Sequence, residues 1–184
     1  MAKRWNNPTG WSEVTAFLKA AGYRVVAIDR DPDGVPPGAE DETGDRPLLE
    51  RARWLRHCEF FVGLGSGLSW LAWACRAPVV LISGFSHPAT EFSTPGRVIN
   101  YNCCNSCWSD PTLRFNSAFD WCPRHGGTER AFECTRAISA HQVVETIKRI
   151  PSFQAAAASS ALSRASRSAM ERCILLPAVV SPTS

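Results

Sequence analysis

Lysine, methionine and tyrosine are scarce in this chain of 184 residues, and no long apolar run is present. The most apolar stretch, Leu68 to Phe85, is broken by Arg76 and Pro78. It falls short of the ~20 apolar residues that a bilayer-spanning helix needs. The opening Met1-Ala2-Lys3-Arg4-Trp5-Asn6-Asn7 has charge but no apolar segment behind it, so no secretory signal is expected. Blocks of one charge are also missing. Twenty cations, all but Lys3, Lys19 and Lys148 arginine, are mixed with 17 acids for a net charge of +3. That balance speaks against a dedicated nucleic-acid or membrane-surface protein. No internal repeat is found. At 45% hydrophobic and 20% charged residues the chain is globular, long enough for one domain and short for two. The expected location is cytoplasmic. What the chain does have is cysteine, eight in all. In a reducing compartment these point to a metal before they point to disulfides.

Along the chain, helical and extended patterns alternate. Trp11, Val14, Phe17, Leu18 and Ala21 mark one helix face, with Gly22 as its cap. Tyr23 to Ile28 reads as a buried strand ending at Asp29, and Asp31 to Asp45 as a Pro- and Gly-rich loop. Leu48, Leu49, Ala52 and Leu55 mark a second helix. Glu59 to Val62 forms a strand closed by Gly63, a helix runs from Gly67 to about Cys75, and Val79 to Ile82 is a third strand. The last helix spans Ser139 to Ile150. This alternation predicts an α/β fold, a Rossmann-like parallel sheet with helices on both faces. Ligands of such sheets bind at the carboxyl ends of the strands. Two units are expected: residues 1–150 as a nucleotide-sugar-binding domain, and residues 151–184 as an Ala/Ser-rich tail, disordered or loosely docked.

Residues 100–135 have little periodicity but hold five cysteines. Cys104 and Cys107 form a C-x2-C pair, and Cys122 and Cys134 follow. A tight pair and two distant thiolates complete a tetrahedron and staple an otherwise structureless segment into a knuckle. Zinc and iron both suit four sulfurs. A closed site of this kind is structural, and zinc in such peptides is worth roughly 10–16 kcal/mol. Cys103 is an alternative to Cys104, and His125 a possible substitute ligand. Cys58 and Cys75 read as core residues, and Cys173 is given no role.

Gly63-Leu64-Gly65-Ser66-Gly67-Leu68-Ser69 lies between a strand and a helix. Its glycines allow close backbone approach, and the free amides of the helix's first turn favour an anion. Ser66 and Ser69 add hydroxyls. The pattern is neither a dinucleotide fingerprint nor a Walker loop. Lys3 is a second phosphate candidate; its ammonium at 4 Å from a diphosphate charge is worth up to roughly 4 kcal/mol at an effective dielectric of 20. Trp70 and Trp73, one turn apart, are expected to pack on the sheet. Asp29, at a strand's end, is read either as a ribose contact or as a solvated loop residue.

Several stretches together are specific. They are Trp5-Asn6-Asn7-Pro8 with Gly10-Trp11, Pro47-Leu48-Leu49-Glu50-Arg51, the run from Glu59 to Ala74, Ile82-Ser83-Gly84-Phe85, and Glu91-Phe92-Ser93-Thr94-Pro95. Arg97-Val98-Ile99-Asn100, Cys104-Asn105-Ser106-Cys107-Trp108, Trp121-Cys122-Pro123-Arg124-His125 and Glu133-Cys134 complete the set. Over about residues 3–150 the chain resembles the bacterial autotransporter heptosyltransferases, relatives of the lipopolysaccharide heptosyltransferases. The resemblance implies the carboxyl-terminal, donor-binding half of a GT-B glycosyltransferase that transfers heptose from ADP-heptose to serine hydroxyls of autotransporter adhesins. It implies iron held by Cys104, Cys107, Cys122 and Cys134, and a large homo-oligomer in the full-length enzyme. Lys3, Ser66, Gly67, Leu68 and Ser69 would contact the donor's diphosphate. The family's amino-terminal domain, which supplies the catalytic base, has no counterpart here, so no catalytic residue is assigned and enzymatic activity of the chain alone is left open. Met1 is read as a truncated gene, a misplaced start or one product of a split enzyme. The rival readings are a non-catalytic remnant or metal-knuckle binding module, and, against the near-neutral charge, a zinc-knuckle nucleic-acid binder.

Overall fold

Short β-branched runs and amphipathic helices build a six-stranded, wholly parallel sheet in the computed structural model, which describes residues 3–30, 34–114, 120–162 and 173–176. The strands are β1 (Arg24–Ala27), β2 (Glu40–Asp41), β3 (Phe60–Leu64), β4 (Val79–Ile82), β5 (Gly96–Val98) and β6 (Cys173–Leu176), in the order β2-β1-β6-β3-β4-β5. The helices are α1 (Gly10–Ala20), α2 (Leu48–His57), α3 (Gly67–Ala74), α4 (Glu133–Arg136), α5 (Ala140–Ile147) and α6 (Pro151–Leu162).

Alternation along the strands feeds two cores. Val25, Phe60, Val62, Val80, Ile82, Ile174 and Leu176 point to one face, where they meet Val14 and Leu18 of α1, Val143 and Ile147 of α5 and Phe153 of α6. Val26, Phe61, Val79, Leu81 and Leu175 point to the other, against Leu55 of α2 and Ala72 of α3. A period of two with both faces covered is what a buried parallel sheet requires.

The ends of the helices follow local rules. α1 closes in a Schellman motif: Gly22, at φ +85°, donates to Lys19 O and Tyr23 donates to Leu18 O. Ser139 starts α5 with a capping box, its hydroxyl accepting from Gln142 N at 3.2 Å and the Gln142 side-chain Oε1 accepting from Ser139 N at 2.8 Å. The acidic loop after β1 folds back over the buried Arg51 guanidinium, which donates to the carbonyls of Asp29, Glu42 and Gly44.

Four features depart from the sequence reading. β3 runs on through Gly63 to Leu64. The edge strand β5 was not foreseen, and β2 lies inside the expected loop. The largest departure concerns residues 151–184, expected to be a disordered or loosely docked tail. Residues 151–162 form α6, whose Phe153 stacks on Tyr23 at 5.5 Å and on Phe17 at 5.8 Å, and residues 173–176 form the central strand. Ile174, Leu175 and Leu176 are all fully buried there. Residues 163–172 and 177–184 lie outside the described residues. Among the described residues no helix is long and apolar enough to cross a membrane.

Candidate donor and metal site

The winding of the sheet reverses beside β6, and this is where an open α/β sheet makes its crevice. Three segments converge at the carboxyl ends of the strands there. They are the turn from β3 into α3, the extension of β4 through Gly84 to Ser86, and the amino-terminal residues around Lys3. Lys3, Leu64, Gly65, Ile82, Gly84, Phe85, Ser86, Glu91 and Thr135 line one cleft. A larger apolar cleft bounded by Trp73, Pro78, Pro95 and Ile150 lies at the opposite strand ends, away from this chemistry.

The turn is built on a close approach. A Cβ at Gly65 would stand 2.4 Å from Glu91 Oε1, so any other residue must displace the Glu91 carboxylate. Glu91 is buried, accepts a hydrogen bond from Ser83 Oγ at 2.6 Å and is ion-paired with Arg97. Arg97 also donates to Phe92 O at 2.9 Å. This charged cluster behind the loop was missed by sequence reasoning, because the three residues sit on different segments. Ser66 is the N-cap of α3 and makes no side-chain capping bond, while the amides of Gly67, Leu68 and Ser69 start the helix. Those first-turn amides have no intrahelical acceptor and favour an anion.

Ser69 is a different matter. It is fully buried, and its hydroxyl donates to Leu64 O. The side chain closes the turn internally, so only its amide faces the direction of a ligand. Trp70 and Trp73 are 42% and 49% exposed, not packed on the sheet. They cover Phe92, Trp70 edge-on at 5.1 Å and Trp73 stacked at 5.7 Å, because the inward face of α3 is Ser69 and Ala72. Asp29 ends its strand with a carboxylate oxygen accepting from Arg30 N at 2.6 Å.

Lys3 is held at the cleft by its neighbours. Trp5 is 2% exposed, and its indole N–H donates to Ile138 O at 2.9 Å. Asn6 donates to Thr135 Oγ1 at 2.8 Å. A Cβ at Gly10 would lie 2.5 Å from the Trp5 ring, so glycine is required there. The Lys3 ammonium lies 4.8 Å from the centroid of the Trp108 ring.

Trp108 belongs to the cysteine-rich segment, which docks on the end of β4. Ser106 N donates to Gly84 O at 2.7 Å and Trp108 N to Phe85 O at 3.0 Å. A Cβ at Gly84 would meet Cys134 O at 2.8 Å. Cys107, Cys122 and Cys134 are buried and Cys104 half-buried. Burial, together with the neighbouring sulfurs of Cys104, Cys107 and Cys122, pushes the Cys134 thiol up to about 12. The Cys104 thiol is also pushed up to about 12, by burial and by its hydrogen bond to Glu133. The Cys134 thiol is thus disfavoured from ionising by its sulfur neighbours, a condition that a bound cation relieves. Among the described residues, though, the one set of three ligand-type atoms within 4.8 Å of one another is Cys104, His125 and Glu133. The four-cysteine knuckle expected from the spacing is thus not drawn in to ligating distance. Glu133 has other engagements. Both its oxygens accept from Arg130, at 2.6 and 3.0 Å, and one accepts from Cys104 N at 3.3 Å. The Arg130 guanidinium is the main reason its carboxyl is lowered to about 2.

No family model matches the chain. It is 57% identical over 158 residues to the autotransporter heptosyltransferase BAHTCr of Citrobacter rodentium, covering 81% of this chain and 39% of that one. It is 50% identical over 160 residues to the inactive autotransporter heptosyltransferase BimC of Burkholderia thailandensis, covering 80% of this chain and 37% of that one. Among solved structures it matches TibC of enterotoxigenic E. coli H10407, an iron-containing dodecameric glycosyltransferase, at TM-score 0.78 and 57% identity over 82% of this chain and 43% of that one. A second TibC structure, in complex with ADP-D-β-D-heptose, matches at TM-score 0.78. The chain spans about two fifths of the length of these relatives.

Proposed function

The chain is a relative of the autotransporter heptosyltransferases, and from that premise we propose that it is the donor-binding half of an enzyme that moves heptose from ADP-heptose to serine hydroxyls of autotransporter adhesins. The observation that carries this reading is the meeting of Lys3 with the Gly65 turn at the carboxyl ends of β3 and β4. A diphosphate placed there meets an ammonium and the first-turn amides of α3 at once. Gly67, Leu68 and Ser69 contribute backbone amides and Ser66 its hydroxyl, the Ser66 amide being already bonded to Leu64 O at 2.7 Å. As the glycosidic bond to the donor breaks, negative charge grows on the departing ADP, and donors already fixed in place stabilise it without reorganisation. Deprotonating the acceptor serine needs a base, and none of the residues around this cleft is assigned that task. A domain outside this chain supplies it in this reading. The donor unit takes in residues 1–150 with β6 as its middle strand. It works in the cytoplasm as part of a homo-oligomer, with no nucleic-acid partner.

Cys104, Cys107, Cys122 and Cys134 are assigned to the iron. Two arguments support four sulfurs over the Cys104–His125–Glu133 set. Three of the four sulfurs are buried, with the Cys134 thiol opposed by its sulfur neighbours, and both Glu133 oxygens are already engaged by Arg130. Iron held by these four sulfurs would supply structural cross-linking. Metal analysis of the wild-type chain tells iron from zinc, and Cys134→Ser and His125→Ala tell the four-sulfur set from the Cys/His/Glu set: in the four-sulfur reading the first loses the ion and the second keeps it.

The test is calorimetric titration of the metal-loaded chain with ADP-heptose, with ADP-glucose as control. Saturable binding that prefers heptose and weakens in Lys3→Ala and Ser66→Ala is expected. A folded, metal-loaded chain that binds neither sugar nucleotide refutes the donor assignment. It would favour the second reading, a non-catalytic relative, which the kinship to an inactive homologue makes specific.

A further inference from the structure

The central strand of this sheet comes from the wrong end of the chain. β6 pairs in parallel with β1 (Val25 opposite Ile174, Ala27 opposite Leu176) and with β3 (Phe60 opposite Ile174, Phe61 opposite Leu175). Without it, β2-β1 and β3-β4-β5 would be two separate sheets with facing open edges. Helix α1 has the complementary oddity. Parallel strands are joined by crossover helices, and α1 packs on one face of the sheet and delivers the chain into β1, yet no strand among the described residues feeds it.

The geometry tells which slot such a strand would take. From β3, the chain crosses α3 on the second face and moves away from β6 to β4. A strand in the β6 slot, followed by α1 on the first face, would move in the opposite direction to β1. Reversing both the face and the direction preserves the hand of the crossover, so the two units obey the same handedness rule. Residues 3–9 then form the short strand-to-helix loop, which is why Lys3 lies at the carboxyl ends of the strands.

We propose that the slot between β1 and β3 is a strand-acceptor groove for a strand connected to the amino end of α1, and that β6 is a surrogate donor strand occupying it from the far end of the chain. The recognition is β-augmentation on both edges at once. Main-chain bonds, such as Ile28 N to Leu176 O at 2.7 Å and Glu59 N to Cys173 O at 2.8 Å, supply register. Two-sided apolar pockets require large aliphatic side chains on both faces, as Ile174, Leu175 and Leu176 provide. The relatives, more than twice as long, have chain from which such a strand can come. This inference goes beyond the proposed function and does not depend on it.

The test uses the full chain carrying Ile174→Pro, which removes a ladder donor from the central strand. It is followed by hydrogen exchange over residues 24–28 and 60–64. Protection there is expected to fall by about 10³-fold or more, approaching free-peptide rates. A second chain keeps Ile174→Pro and adds a copy of the Cys-Ile-Leu-Leu segment ahead of Met1. Protection is expected to return in that chain. If Ile174→Pro alone aggregates, the extended chain is still decisive, because it must recover a folded, protected sheet. Unchanged protection in the unextended variant overturns the role of β6. Failure of the extension to restore the sheet overturns the acceptor groove. A wild-type dimer joined by exchanged β6 strands overturns the placement of β6 in its own sheet.

Discussion

Glu91 is the residue on which the Gly65 turn rests, and replacing it by glutamine tests that claim directly. The substitution keeps the shape of the side chain but leaves the Arg97 charge uncompensated. The two side chains are 4% and 15% exposed. Removing one partner of a buried ion pair costs roughly 3–5 kcal/mol. Because Arg97 keeps some solvent and its bond to Phe92 O, the low end applies, about 3 kcal/mol. At about 2–4 °C per kcal/mol for a chain of this size, Tm should fall by about 6–12 °C. Differential scanning calorimetry on the metal-loaded protein measures it. The double variant Glu91→Gln with Arg97→Gln should recover part of the loss, since no unpaired buried charge remains. Gly65→Ala should behave like a weaker version, because its new methyl group must push Glu91 away. A Glu91→Gln loss below about 1 kcal/mol would refute the reasoning, as would a double variant as unstable as the two single losses summed. Either result would mean that the pair does not brace the turn.

Ser69 and Ser66 should separate stability from binding. Ser69→Ala loses the bond to Leu64 O and should cost about 1 kcal/mol in urea unfolding, whereas Ser66→Ala should leave stability unchanged and raise the Kd for ADP-heptose. The Cys58 thiol, pushed up to about 12 chiefly by burial and then by Cys173, should resist alkylation. Against a free cysteine of pKa ≈ 8.5, its thiolate fraction at pH 8 is smaller by about 10³, and mass spectrometry should show it labelled only after unfolding.

The strongly periodic part of the chain was legible from sequence. Val79 to Ile82 coincides with β4, and the Trp11–Val14–Leu18 stripe with the buried face of α1. Gly22 is the cap that the pattern required, since the αL position costs glycine nothing. The failures share a cause, dependence on distant partners. β5 has three residues and begins at Gly96 after a proline, too little for any period to register. Cys173–Leu176 reads as a strand only once β1 and β3 offer it two open edges; in sequence its Ala/Ser-rich surroundings dominate. The Ser69 hydroxyl is visible in the sequence, but its use by Leu64 O is not. His125 was within reach as a possible ligand, while Glu133 was not, because its approach to Cys104 spans 29 positions of irregular chain.

In the proposed reading the metal and donor sites are one mechanical unit, and this yields the last prediction. Thr135, which holds Asn6, is next to Cys134, and Ile138 O, which holds the Trp5 indole, is four residues beyond that cysteine. The other side of Cys134 abuts Gly84, whose chain continues into the cleft. Ordering a backbone costs roughly 1–2 kcal/mol per residue, so fixing the five residues from Lys3 to Asn7 costs about 5–10 kcal/mol. The hydrogen bonds that Trp5, Asn6 and Asn7 make to residues 135–138, at about 1 kcal/mol each, reach only the low end of that range. The burial of Trp5 against an ordered 134–138 segment must contribute the rest, and a structural metal worth roughly 10–16 kcal/mol is enough to keep that segment in place. Chelation should therefore raise the Kd for ADP-heptose at least tenfold, together with new proteolytic cleavage in residues 100–135. Trp5→Phe, which loses the indole N–H, should weaken donor binding while leaving metal content at wild-type level. If chelated protein binds ADP-heptose as tightly as the metal-loaded form, Lys3 is positioned without the knuckle and the coupling argued from Trp5 and Asn6 is wrong.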